Sequence, residues 1–278
     1  MVTERIAESV YLFTSEDYAQ VNAGAVVGPE WTVLIDTLAS PLETRQIREF
    51  IERRLGSRVR YVVNTHYHAD HTIGNSLFPG ATIVAHARCR DLMDTRGRAA
   101  LARAREQNRD LREVEVVLPQ AFFEDGEVAL RVGRRILQLV PLPGHSADGI
   151  GVLILEDRVL FAGDAMMPIP YLVDGDLDEM VESLKRFPRL KLENLIQGHG
   201  EVILRGEIQN AVRSNLAYLG HLARAVRRAA QRKVPGDYLR EIDIESCGKS
   251  RILLNGLAPD LHERNVQALY QLWFGRKR

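Results

Sequence analysis

Between residues 65 and 71 the chain reads Thr65-His66-Tyr67-His68-Ala69-Asp70-His71, directly after the apolar stretch Val59–Asn64 (VRYVVN). Few folds can absorb such a run. Three imidazoles and a carboxylate fall within six positions, and each needs a polar partner once it leaves water. VRYVVN reads as a β-strand. Residues just past the carboxyl end of a strand line the crevice where layered α/β folds place their sites. His66 and His68 alternate, as on an extended segment, so both can face one side. Asp70 and His71 come where the chain turns and can face a second point nearby. The spacing fits two neighbouring metal positions.

Three more ligand-type residues stand at the ends of apolar runs. His145 lies in Pro143-Gly144-His145-Ser146, after RRILQLVPL. Asp164 closes Phe161-Ala162-Gly163-Asp164, and His199 sits in Gly198-His199-Gly200. The flanking glycines allow unusual backbone angles beside a site. Five histidines and two aspartates then converge on one edge of the sheets. His86, His221 and His262 lack such a setting and read as solvated or hydrogen-bonded. Cys89 and Cys247 have no acid or base next to them in sequence and read as spare thiols.

The rest of the chain supplies the frame. Val21–Gly28 and Trp31–Thr37 read as strands joined by Gly28-Pro29-Glu30. Ser40-Pro41-Leu42-Glu43 reads as a capping box opening a helix that ends before Gly56. Ala81–Ala85 is a short strand, and residues 88–113 form an arginine-rich helical segment with an expected break at Gly97. EVALRV, RRILQLVPL, IGVLIL and RVLFAG are four strands, turning at Glu156-Asp157 between the last two. A helix follows at 177–187 and a strand at 195–197. From Gly206 onward the pattern is helical, broken at Pro235-Gly236. Alternating strands and helices define an α/β class. The expected division is 1–205, a catalytic domain, and 206–278, a helical extension.

Composition removes several function classes. Apolar residues are 45% and charged residues 27% of the chain, which excludes disorder, collagen and coiled coil for most of it. Basic and acidic residues balance at 37 each, so a whole-chain footprint for nucleic acid is absent. No apolar run is long enough for a membrane span. The N-terminus, interrupted by Glu4 and Glu8, does not read as a signal peptide. Two cysteines specify no disulfide framework. A cytoplasmic protein without nucleic-acid or membrane partners is expected.

The pattern HxHxDH, then His, Asp and His in that order, resembles the metallo-β-lactamase fold superfamily. The resemblance covers roughly residues 10–205. It implies an αββα sandwich. It also implies that His66, His68 and His145 hold one metal, that Asp70, His71 and His199 hold a second, and that Asp164 bridges them. Within the superfamily the site is most similar to the glyoxalase II-like branch, which has these seven ligands and a C-terminal helical extension. True β-lactamases of the superfamily carry Cys or Ser where Asp164 stands. The quorum-quenching lactonases usually place a Tyr soon after the bridging Asp, where this chain has Ala165-Met166-Met167. The flavin-linked members have Glu where His68 stands.

Such a site suits two divalent ions, zinc foremost, with iron or manganese as alternatives. A hydroxide bridging them would attack an ester, thioester or lactone-type small molecule, with Asp70 as ligand and proton acceptor. A persulfide dioxygenase on the same fold, using one iron on His66, His145 and Asp164, is the second reading. A non-enzymatic metal-binding role is the third. Met167 and Tyr171, just past Asp164, are expected to wall the substrate pocket. The arginine-rich segment reads as a solvated face, with a cover over the metals as the sharper option. Apolar residues of the tail, such as Leu269 and Trp273, need burial on their own domain or in a homodimer.

Overall fold

The computed structural model of the chain describes residues 1–126 and 128–275. Glu127, the first residue of one expected strand, and 276–278 of the tail lie outside the described residues. Two sheets form. The first runs β1 (Val2–Ala7), β2 (Val10–Thr14), β3 (Asn22–Val27), β4 (Thr32–Ile35), β5 (Val59–Val63), β6 (Thr82–His86) and β7 (Ala121–Phe123), in that spatial order. The second contains β8 (Val128–Val132), β9 (Arg135–Pro141), β10 (Ile150–Ile154), β11 (Val159–Phe161), β12 (Asn194–Ile196) and β13 (Ile203–Leu204), arranged from β13 back to β8. β1 to β4 form an antiparallel meander, and β5 to β7 add in parallel. In the second sheet only β11 and β12 run parallel.

The inner strands β3, β4, β10 and β11 are apolar on both faces because both faces are covered. In β4, Val33 and Ile35 point between the sheets and Leu34 points outward. In β11, Val159 and Phe161 point between the sheets and Leu160 outward. Gly24 lets the sheets approach, since a Cβ there would lie 2.2 Å from the Phe161 ring.

Helices α1 (Pro41–Glu49), α2 (Ala69–Thr72), α3 (Ala87–Leu92), α4 (Arg98–Gln107), α5 (Leu177–Arg186), α6 (Ile208–Ala230), α7 (Pro235–Arg240) and α8 (Ala258–Phe274) complete the layers. Ile47 of α1, with Ile51 just beyond it, packs on the outer face of the first sheet. α5, α6 and α8 share one apolar cluster with the outer face of the second sheet. The chain is therefore an α/β protein, an αββα sandwich with C-terminal helices, the architecture that the resemblance implies. No helix among the described residues is long and apolar enough to cross a membrane.

Two local readings need correction. Ser40 Oγ does accept from the Glu43 amide. The Glu43 carboxylate, however, turns to Ser15 Oγ at 2.5 Å and the Glu16 amide at 2.9 Å, so the capping box is half formed. Buried donors across the fold outcompete the local amide. Gly97 does not break its helix: the backbone stays helical through a π turn at 93–97 and into α4.

Candidate metal centre

The site forms where strands end. β5 delivers His66 and His68, and the first turn of α2 carries Asp70 and His71. The loop after β9 carries His145, a single tight turn after β11 carries Asp164, and the loop after β12 carries His199. Asn22 of β3 ties that last loop to the first sheet, donating to Gln197 O at 3.0 Å and Gly200 O at 2.8 Å.

All seven residues meet. His66, His68, His145 and Asp164 form one group of potential ligand atoms, and Asp70, His71 and His199 form another. Within each group these atoms lie within 4.8 Å of one another. Asp164 stands between the groups: Oδ2 is 3.3 Å from His145 Nε2 and 3.5 Å from His199 Nε2, and Oδ1 is 3.3 Å from His71 Nε2. Asp70 Oδ2 lies 3.3 Å from His199 Nε2.

The residues fit metal binding, as the outward nitrogens show. His71 Nδ1 donates to Asp36 Oδ2 at 2.9 Å, and His66 Nδ1 to Thr65 Oγ1 at 3.1 Å. His145 Nδ1 donates to Tyr171 O at 2.8 Å, and His199 Nδ1 to Ala19 O at 2.9 Å. His68 Nε2 donates to Asp174 Oδ2 at 3.1 Å. Each ring is fixed from behind, leaving its other nitrogen facing the centre, as metal-binding imidazoles require. His71 Nε2 and Asp164 Oδ1 are buried and form no hydrogen bond, only a charged contact with each other at 3.3 Å. Such orphans are costly unless something binds them.

The charges agree. Burial drives the His145 pKa down to about 4 and that of His66 well below the ordinary value, so both offer lone pairs at neutral pH. For His199 burial pulls downward, but Asp164 and Asp70 outweigh it and raise the pKa to about 10. His71 is raised likewise, by Asp164 and Asp36 against burial. Two protons thus stand where positive charge is wanted.

Several contributors were not legible in the sequence. Asp36 accepts from the Thr65 amide, Thr65 Oγ1 and His71, so one carboxylate steadies a ligand in each group. Asp174 accepts from Tyr67 at 2.7 Å, from His68, and from Arg96 Nη1 at 3.2 Å. One arginine of the 88–113 segment therefore reaches a ligand's partner. A cavity of about 270 Å³ opens over the centre, and the expected Met167 and Tyr171 line it. Leu254, Leu257, Leu261 and Arg264 line it from the C-terminal region. The other histidines are hydrogen-bonded: His86 to Glu124 O, His221 to Cys247 O, and His262 to Tyr218 and Ile242 O. Both cysteines are free and buried.

An αββα sandwich with a His/Asp cluster at its strand ends defines a class of metal-binding proteins. Residues 17–203 match the Metallo-beta-lactamase superfamily, and the chain belongs to it. Over 174 residues it is 28% identical to "Beta-lactamase-like protein 2 homolog" of Caenorhabditis elegans, covering 62% of this chain and 52% of that protein. It is 27% identical to the hydroxyacylglutathione hydrolase of Methylococcus capsulatus, covering 56% and 53%. It is 30% identical to the human mitochondrial persulfide dioxygenase ETHE1, covering 49% and 43%. The chain thus spans about half the length of these curated relatives. The solved metallo-beta-lactamase of Pontibacter korlensis shares the fold at a TM-score of 0.62 and 20% identity, covering 76% of this chain and 97% of that one.

Proposed function

We propose that the chain is a metal-dependent hydrolase that cleaves an ester, thioester or lactone-type small molecule with two divalent cations, zinc foremost. The partition of seven ligand-type residues into two groups with Asp164 between them carries this reading. His66, His68 and His145 would hold one cation, and Asp70, His71 and His199 the other. When bound, such ions supply Lewis acidity toward a carbonyl and lower the pKa of a water to about 7.

The chain's own groups do the rest. Asp36, Asp174, Ala19 O and Tyr171 O hold the rings in register. Asp70 faces the cavity, placed to hold a cation and to accept a proton. Met167, Tyr171 and the leucines of the C-terminal region shield the reacting bond from bulk water. The resemblance to a hydroxyacylglutathione hydrolase supports a thioester or ester among the candidates.

The test is metal content together with turnover of activated esters and thioesters by the purified chain. Close to two ions per chain and loss of turnover in Asp164→Ala and His68→Ala are expected. Full activity in Asp164→Ala would sink the assignment.

One observation favours a second reading. His66, His145 and Asp164 lie within the same ligand group, and one relative is a persulfide dioxygenase. That reading expects one iron per chain and oxygen uptake on persulfide addition. An iron-loaded sample without uptake removes it.

A further inference from the structure

We infer that the substrate is an amphipathic ester or thioester bearing an anionic group, which Arg264 holds where the metal-site cavity meets a groove along α8. This rests on the hydrolase reading above. The cavity over the metal centre, about 270 Å³, is small beside the roughly 300–1,000 Å³ of most ligand sites. Arg264 lines it and also lines a neighbouring groove of about 850 Å³ between the Leu172–Gly175 segment and α8. A substrate with its scissile bond over the metals therefore extends past Arg264.

The chemistry changes along that path. Leu254, Leu257 and Leu261 make the metal-side wall apolar. Val173 and Leu272 line the groove, with 42% and 62% of their surface exposed, and the carboxylates Asp260 and Glu263 line its α8 wall beside Arg264. Between these stretches sits a guanidinium that forms no ion pair among the described residues. It meets the Tyr171 phenol, and Asp260 one turn earlier acts on it only at a distance. Arg264 is the only Lys or Arg among the described residues lining the metal-site cavity. The carboxylates sharing that lining are engaged: Asp70 and Asp164 belong to the metal groups, and Asp174 is held by Tyr67, His68 and Arg96. A planar, permanently charged fork left unpaired at a cavity mouth matches carboxylate or phosphate oxygens, which it can bind with two parallel hydrogen bonds.

The experiment uses the metal-loaded full chain. Matched thioesters share one apolar length and end in a carboxylate, a phosphate or a neutral methyl group. One series carries the end group on the acyl side and the other on the thiol side. The wild type is expected to show at least about ten-fold higher kcat/KM, through KM, for an anionic member over its neutral mate in one series. Arg264→Ala should erase that preference, and Arg264→Lys should restore part of it. Carboxylate against phosphate preference identifies the source of the anion. Turnover of anionic and neutral members at equal kcat/KM overturns the inference and leaves the hydrolase reading standing. If nothing is turned over, inert thioether analogues decide it by titration calorimetry. Binding about ten-fold weaker to Arg264→Ala then supports the anion site alone, and equal binding to both proteins removes it.

Discussion

Asp36 Oδ2 accepts from His71 Nδ1 at 2.9 Å, and the same oxygen accepts from Thr65 Oγ1, which backs His66. One buried carboxylate thus orients a ligand in each metal group. Asp36→Asn keeps the shape but cannot accept at both oxygens. Metal affinity is expected to fall by roughly 10–100-fold, with hydrolysis falling in step. Competition with a chromophoric chelator measures it. Unchanged affinity would show that Asp36 only packs.

Gly198 guards the bridging position. A Cβ there would lie 1.8 Å from Asp164 Oδ1, with Asp164 N at 2.9 Å and the Gly163 carbonyl carbon at 2.8 Å, so backbone as well as side chain must shift. Displacing a reacting group by about 1 Å can cost 10²-fold in rate. Gly198→Ala should therefore lose at least that much turnover and bind fewer metal ions. Elemental analysis alongside kinetics checks both.

Asn265 of α8 clamps the loop behind His145. Its Nδ2 donates to Pro170 O at 2.7 Å, and its Oδ1 accepts from the Leu172 amide at 2.7 Å, bracketing the residue whose carbonyl orients His145. Asn265→Ala leaves buried backbone groups unpaired, with an expected cost of about 1–3 kcal/mol. Urea unfolding reads that loss. A parallel drop in metal affinity at the His145 group is expected, and a purely structural asparagine would not produce it.

Metal uptake should release protons with a defined sign. The His71 and His199 pKa values are raised, the latter to about 10, so both carry protons near pH 7.5 before metal binds. Those of His66 and His145 are lowered, the latter to about 4, and have none to give. Binding must expel the first two, so affinity rises with pH up to about 10. Calorimetry in buffers of different ionisation enthalpy should find at least about two protons released per chain. Zero release would contradict this charge arrangement.

Lys249 gives a second pH signature, away from the metals. Burial lowers its pKa from 10.5 to about 8, while Nζ donates to Ser214 Oγ at 2.9 Å and Asn215 Oδ1 at 2.6 Å. Between those values the unfolded chain binds the extra proton, so stability rises with pH across that window. Relative to Lys249→Met, the wild type should gain roughly 2–3 kcal/mol between pH 7.5 and 10.5. A flat difference would mean the ammonium is solvated.

The sequence alone determined the cluster of ligand-type residues and the class of fold. HxHxDH is local: a strand, an extended pair and a turn put four ligand-type residues beside one another by backbone geometry. His145, Asp164 and His199 were legible because each follows an apolar run, and strand ends converge at one edge of a sheet. The tertiary structure decided what stands behind the ligands. Asp36 lies 35 residues from His71, and Asp174 lies 106 from His68. Such pairs come together only through sheet packing and loop placement, so no spacing rule marks them. The same holds for Arg96, which reaches Asp174 from a segment that reads as solvent-facing. Arg264 is another case, an ordinary charged position on an amphipathic helix until the fold lays α8 beside the metal centre. Glu43 shows the converse, a local motif overridden because buried donors 27 and 28 residues away hold its carboxylate. Periodicity reports which face of an element is buried. It carries no information on what that face meets, because that depends on contacts between distant segments.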